Sequence, residues 1–343
     1  MLAKLLRLAL QATAAAVLAS SARALPEAEL AASYDALIRP LVDGGETGHF
    51  IGVDAVRVHY RIHAVEAAVG AIVLLPDYLE SSLEYAEAIH DLNAAGYSVY
   101  ALDHRGTGRS ERLTAKPRVA HVERFRDYVD DAETFVRDIV VPHASAPLHM
   151  LAHSTGALIG AMLLARTPEP FESAAFTSPY FEMPSAACPE WVTYMAVSLN
   201  DMRGGAKDYA PGHGDWNPSL STFDGNRMTR SEVRWGMQLE QWRDHPEALM
   251  GGPSNRLLAE TLRATWERHE HARGIGGLPI LLLQAEQDAF VGAYGQQSFC
   301  QAAANCRLVR VPGTRHELLM ERDAARDLVL AEILALFAQA AAH

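Results

Sequence analysis

Apolar and polar residues alternate with a period of two along "VRVHYRIH" (56–63), the pattern of a half-exposed strand. The run "GAIVLLP" (70–76) is apolar without interruption, as a central strand covered on both faces requires. Residues 82–96 read as an amphipathic helix that stops at Gly96, and "YSVYALD" (97–103) reads as the next strand. A long helix with an acidic face follows over 122–141. "LHMLAH" (148–153) is a strand, Thr155 to Arg166 a helix, and "SAAFTS" (173–178) a strand again.

Residues 183–272 break this rhythm. They show helical segments and no strand-like alternation, and they hold all five tryptophans: Trp191, Trp216, Trp235, Trp242 and Trp266. The alternation resumes at "GGLPILLLQAEQD" (276–288), continues in the strand "CRLVRV" (306–311) and closes with a helix over 320–340. Strands alternating with helices predict an α/β fold with a mostly parallel sheet. A helical insertion interrupts it after about the sixth strand.

One polar residue is out of place in this pattern. Ser154 sits between an apolar strand and an apolar helix, within "AHSTG". The stretch fits the nucleophile elbow G-x-S-x-G with Ala152 for the first glycine. The tight turn lifts the serine hydroxyl above the sheet, where ligands of open α/β sheets bind. An N-cap serine is the bland alternative. A serine hydroxyl needs a base, and the base needs an orienting acid, in the chain order Ser, Asp or Glu, His. Asp288 lies just beyond one buried strand and His316 in the Gly-containing loop after the last. Glu286 is the competing acid, closer to its strand. The N–H of Thr155, at the start of the helix, is one donor for the oxyanion. The loop 76–82 is the expected source of the second.

Composition narrows the class. With 343 residues, 49% hydrophobic and 21% charged, the chain can build a large core. A net charge of −12 argues against nucleic acid and against electrostatic binding to anionic lipid. There is no GxGxxG and no Walker loop, so no nucleotide cofactor is expected. "HELLM" (316–320) is not a zinc motif, and His269 and His271 stand without further ligands, so no metal is expected.

The first 24 residues carry Lys4 and Arg7, then an apolar run from Leu8 to Ala19, then Ala22-Arg23-Ala24. This is the pattern of a secretory signal peptide, which predicts a secreted or periplasmic protein starting at Leu25; an uncleaved amphipathic helix or a membrane anchor is the alternative. Its three basic residues removed, 27 basic remain against 42 acidic, a charge of −15. In an oxidising compartment Cys300 and Cys306 are the closer pair for a disulfide, with Cys188 left over; two reduced buried thiols remain the alternative.

Taken together, "ALDHRGTGRS" (101–110), "RDYVDD" (126–131), "AHSTG" (152–156), "LLLQAEQD" (281–288) and "GTRHELLMERD" (313–323) resemble the α/β-hydrolase superfamily. The chain looks most like its branch of bacterial lysophospholipases and monoacylglycerol lipases, sometimes grouped with serine aminopeptidases. The resemblance implies an α/β-hydrolase core over 25–182 and 273–343, with 183–272 as a substrate lid. It implies Ser154, Asp288 and His316 as nucleophile, acid and base. Tyr78 and Thr155 become oxyanion donors, with Glu80 bracing their loop. Many relatives have His-Gly-x-Gly-Glu where this chain has Pro76-Asp77-Tyr78-Leu79-Glu80. Trp191 and Trp235 are the lid residues expected to meet an acyl chain, the alternative being that the rings are the lid's own core.

The implied function is hydrolysis of single-chain lipid esters, a small-molecule substrate, with transient membrane contact through the lid and no protein partner. Amide hydrolysis in the aminopeptidase manner, a general carboxylesterase and a catalytically silent binding protein are the competing readings.

Overall fold

The structure, a computed structural model, describes residues 24–340 apart from 145–146, 185–187 and 218–220. Of the expected signal peptide, residues 1–23 lie outside the described residues.

The strands are β1 (Glu46–Ile51), β2 (Arg57–His63), β3 (Gly70–Leu75), β4 (Tyr97–Leu102), β5 (Val119–Ala120), β6 (Leu148–His153), β7 (Phe171–Thr177), β8 (Gly252–Pro253), β9 (Ile280–Ala285) and β10 (Cys306–Val311). Eight of them form one sheet in the order β1-β2-β4-β3-β6-β7-β9-β10. β1, β2 and β4 pair antiparallel, and every pair from β4 to β10 is parallel. The short β5 and β8 pair separately, in parallel. β1 has no apolar alternation to announce it: Phe50 is its one buried residue, because it is an edge strand.

The main helices are α1 (Glu27–Ser33), α2 (Ala86–Ala94), α3 (Arg126–Phe135), α4 (Ser154–Arg166), α5 (Glu190–Asn200), α6 (Glu232–Asp244), α7 (Asn255–Trp266), α8 (Arg268–Gly274), α9 (Ala293–Ala302) and α10 (Asp323–Ala340). The uninterrupted apolar run of β3 serves two cores. Ala71, Val73 and Leu75 face the layer of α3 and α4, while Ile72 and Leu74 face α2 and α10. A strand covered on both sides cannot spare polar positions, which is why its sequence shows none. α2 is preceded by a capping box of Ser81 and Glu84, and the chain leaves it through Gly96 at φ +89°, a conformation that favours glycine.

Between β7 and β9 the chain makes α5 to α8. α8 runs across residue 272, and Ala264, Ala272 and Ile275 join the main core cluster, so the end of this segment belongs to the helical layer beside α4. Cys300 at the end of α9 and Cys306 at the start of β10 form a disulfide, with Cα atoms 5.3 Å apart; Cys188 is free. Among the described residues no helix is long and apolar enough to cross a membrane.

Candidate active site

Parallel pairing of β6, β7, β9 and β10 brings their carboxyl ends into one row, and the loops leaving that row build the site. Ser154 follows β6 with φ +50°, a strained backbone for a serine, as an elbow demands. Small neighbours permit the turn. Ala152 is fully buried, and a Cβ on Gly156 would run into the carbonyl oxygens of Leu75 and Pro76.

His316 Nε2 lies 3.0 Å from Ser154 Oγ, and His316 Nδ1 lies 2.7 Å from Asp288 Oδ2. The other Asp288 oxygen accepts the N–H groups of Phe290 at 2.8 Å and Val291 at 3.1 Å. Burial pushes the Asp288 carboxyl up, but His316 and these donors outweigh it and hold it below the ordinary value. An ionised acid behind the ring fixes the tautomer with Nε2 free to take a proton from Ser154. Glu286 points elsewhere: it accepts from Gly313 N at 2.7 Å and pairs with Arg310 at 3.2 Å.

Beneath Ser154, His316 and Asp288 lies a second set of charges that sequence reasoning missed. His153 Nε2 is 3.0 Å from Glu317 Oε1, and its Nδ1 is 3.0 Å from Thr177 Oγ1. Burial alone would drive this imidazole neutral; Glu317, with help from Glu80 and Asp77, raises it to about 10. Burial and the Glu317 charge in turn raise the Glu80 carboxyl well above its ordinary value. Ser178, also at positive φ, donates its hydroxyl to the His316 carbonyl at 2.7 Å and holds that loop down. His153 and Glu317 are sequence neighbours of triad members, which was the available signal. Only the fold shows that they face each other. His153, His316 and Glu317 bring metal-capable atoms within 4.8 Å of one another, yet both nitrogens of each ring already have partners.

On the side of the expected oxyanion donors, the loop 76–82 lies against the start of α4. Thr155 N–H donates to Asp77 Oδ2 at 3.2 Å, so this expected donor already has a carboxylate partner. The same side chain accepts Leu79 N–H at 2.8 Å. Glu80 braces this loop, accepting from Asp77 N–H at 3.2 Å and from the Tyr85 hydroxyl at 2.6 Å. Tyr78 is buried against the core and lines the cavity beside it. The motif at 101–110 supports the loop from behind. Burial pushes the His104 ring down to about 4, so it is neutral and its Nε2–H donates to the Pro76 carbonyl at 3.0 Å. Asp103 accepts Ser82 N–H at 2.7 Å, and Arg105 grips Asp131 at 2.6 and 2.8 Å.

A cavity of about 860 Å³ opens over Ser154 and His316. Trp216, Trp235 and Trp242 line it and pack edge to face, with Trp216 and Trp242 centroids 4.5 Å apart. These rings are at once the insertion's own core and the cavity wall. Trp191 differs: it stands on the outer face of α5, 62% exposed, and is not part of the lining. It starts its helix while Trp235 is buried in α6, and periodicity cannot tell which face a helix turns inward.

A family model described as serine aminopeptidase, S33, matches residues 66–323. Lysophospholipase L2 of Escherichia coli K12 is 33% identical over 303 residues, which cover 85% of this chain and 87% of that protein. A monoacylglycerol lipase of Mycolicibacterium smegmatis is 32% identical over 288 residues, covering 83% and 94%. The fold is similar to that of a soluble variant of monoglyceride lipase from Saccharomyces cerevisiae, with a TM-score of 0.67 at 17% identity, covering 87% of this chain and 97% of that one.

Proposed function

The chain belongs to the serine aminopeptidase S33 family, and from that premise we propose that it hydrolyses single-chain lipid esters, as a lysophospholipase or monoacylglycerol lipase, through Ser154. The observation that carries the reading is the Asp288–His316–Ser154 hydrogen-bond relay opening onto a tryptophan-walled cavity. His316 Nε2 takes the Ser154 proton as Oγ attacks the ester carbonyl. The imidazolium, stabilised by Asp288, returns the proton to the departing alcohol, leaving an acyl-serine. Water, activated by the same ring, releases the fatty acid. Each methylene buried against the cavity wall contributes about 0.8 kcal/mol, which favours a long acyl chain over acetate. The names of the two bacterial relatives support the same substrate class.

The outer face of α5 supports brief contact with a lipid surface. Trp191, Met195, Leu199 and Met202 share one side of the helix and its continuation, with exposures of 62, 60, 43 and 78%. Since the chain is acidic, that contact is apolar in character. We place the protein outside the cytoplasm, secreted or periplasmic, a reading supported by the leader pattern and the disulfide.

The test compares lysophospholipid, monoacylglycerol, short p-nitrophenyl ester and aminoacyl-anilide substrates at matched concentrations, with Ser154→Ala as control. The expected result is kcat/KM rising with acyl length on single-chain esters and no turnover by Ser154→Ala. Preference for acetate esters, or cleavage of anilides alone, would overturn the lipid reading.

A further inference from the structure

Under the N-terminal segment, charges from four elements meet in a half-buried cluster. Arg234 of α6 lies 3.0 Å from Glu87 of α2, 3.0 Å from Asp323 of α10 and 4.0 Å from Glu27 of α1. Arg326 of α10, fully buried, lies 2.6 Å from Asp91 and 3.4 Å from Glu87. Four carboxylates thus face two guanidinium groups, an excess of two negative charges; Asp91 and Glu87 are largely buried, where charge is expensive, while Glu27 and Asp323 reach solvent. His90 Nδ1, 3.0 Å from Asp91 Oδ1, is the other titratable neighbour.

Leu25 enters this cluster directly. The residue is 8% exposed, its carbonyl accepts from Arg234 at 3.1 Å, and its backbone nitrogen lies 3.3 Å from Asp91 Oδ1. The next residues are held too: Glu27 N–H donates to both Asp323 oxygens at 3.0 and 3.1 Å, and the Ser231 hydroxyl donates to Glu27. Burial would push the Asp91 carboxyl up, but His90 and Arg326 outweigh it and hold it below the ordinary value, so it is ionised at neutral pH. The bond before Leu25 is the one that the Ala22-Arg23-Ala24 pattern marks for cleavage.

We propose that hydrolysis of the Ala24–Leu25 bond on export creates a terminal ammonium on Leu25 that docks on the Asp91 carboxylate as a buried ion pair. The inference rests on the proposed leader. Water adds across the amide; Ala24 leaves as a carboxylate, and the Leu25 amine takes up a proton. A long neutral amide contact becomes a charge-assisted hydrogen bond, which is shorter and about twice as strong. The cluster gains the cation it lacks. Arg234, which holds the Leu25 carbonyl, immediately precedes Trp235 of the cavity wall, so leader removal also fastens the helix that shapes the acyl site. A carboxylate raises the pKa of an ammonium it faces. The stabilisation is therefore complete below the ordinary amine value of about 8 and is lost as pH rises through the raised one.

The chain has three lysines, Lys4, Lys116 and Lys207. A protein starting at Leu25 retains two of them and a single terminal amine. The full chain is expressed with export, its first residue is identified by mass spectrometry, and its amines are acetylated with trace acetic anhydride, folded and in urea, across pH 7–10. The expected result is Leu25 at the terminus, with acetylation of its amine slowed about eightfold or more in the folded protein at pH 7.5, the effect of raising its pKa from about 8 to about 9. Lys116 and Lys207, with side chains 63% and 55% exposed, serve as the internal reference. Asp91→Asn should abolish the protection; should that variant fail to fold, the pH profile of the unmutated protein gives the amine's pKa directly. A Leu25 amine as reactive folded as unfolded would overturn the ion pair alone, whereas any other first residue would overturn the leader as well.

Discussion

Asp77→Asn should make this hydrolase faster. With Ser154 as the proposed nucleophile, the N–H of the next residue, Thr155, is the expected oxyanion donor, but in the structure it donates to Asp77 Oδ2 at 3.2 Å. An acyl group can use that donor only after the carboxylate withdraws. A hydrogen bond to a charged group contributes about 1.5–3 kcal/mol. Lowering the barrier by that amount corresponds to roughly 10- to 150-fold in kcat/KM. Residual repulsion between the carboxylate and the developing oxyanion acts in the same direction. Asparagine is the informative replacement because its oxygen can still accept Leu79 N–H, the 2.8 Å bond that shapes the loop, while its charge is gone. Asp77→Ala loses that bond too and should gain less. The assay is initial-rate kcat/KM on one soluble p-nitrophenyl ester and one monoacylglycerol, with melting temperature measured alongside. A well-folded Asp77→Asn with unchanged or reduced kcat/KM on both substrates would refute the reasoning.

Asp288→Asn should lower kcat about 10³- to 10⁴-fold by leaving the imidazole in the wrong tautomer, while Glu286→Gln should cost far less because Glu286 is bound to Gly313 and Arg310; steady-state rates would show it, and the reverse ranking would reassign the acid. Folded His153 is raised to about 10 against an ordinary 6.5, so its contribution to stability is full below 6.5 and fades as pH climbs through 10. The melting temperature should fall over that window more steeply than in Glu317→Gln, and parallel curves for the two proteins would exclude the pair as the cause. Trp235→Ala should penalise long-chain esters more than acetate esters, whereas Trp191→Ser should slow hydrolysis at vesicle surfaces while sparing soluble esters. Equal behaviour of the two variants in both assays would erase the distinction between cavity wall and outer face.

The elements that sequence reading located are those whose pattern is local. β3 is uniformly apolar because both of its faces are covered, and α2 ends where Gly96 turns with positive φ. Ser154, Asp288 and His316 each sit just past a strand, and the parallel sheet brings strand ends together, so chain position foretold proximity. β1 was not legible, because an edge strand with one buried residue carries no periodic signal.

What tertiary structure alone decided is which side chains face one another. No spacing announces that His153 meets Glu317 across 164 residues, that Asp77 takes the Thr155 N–H, or that Leu25 reaches Asp91. The same holds for Trp235 facing the cavity and Trp191 facing out. By itself, the sequence determined the order of the sheet strands from β2 onward with their intervening helices, and the residues at the strand ends, because hydrophobic period and turn chemistry act between near neighbours. Burial, charge pairing and side-chain direction depend on segments far apart in the chain, and those meet only once the sheet has closed and the helices between β7 and β9 have packed across its carboxyl edge.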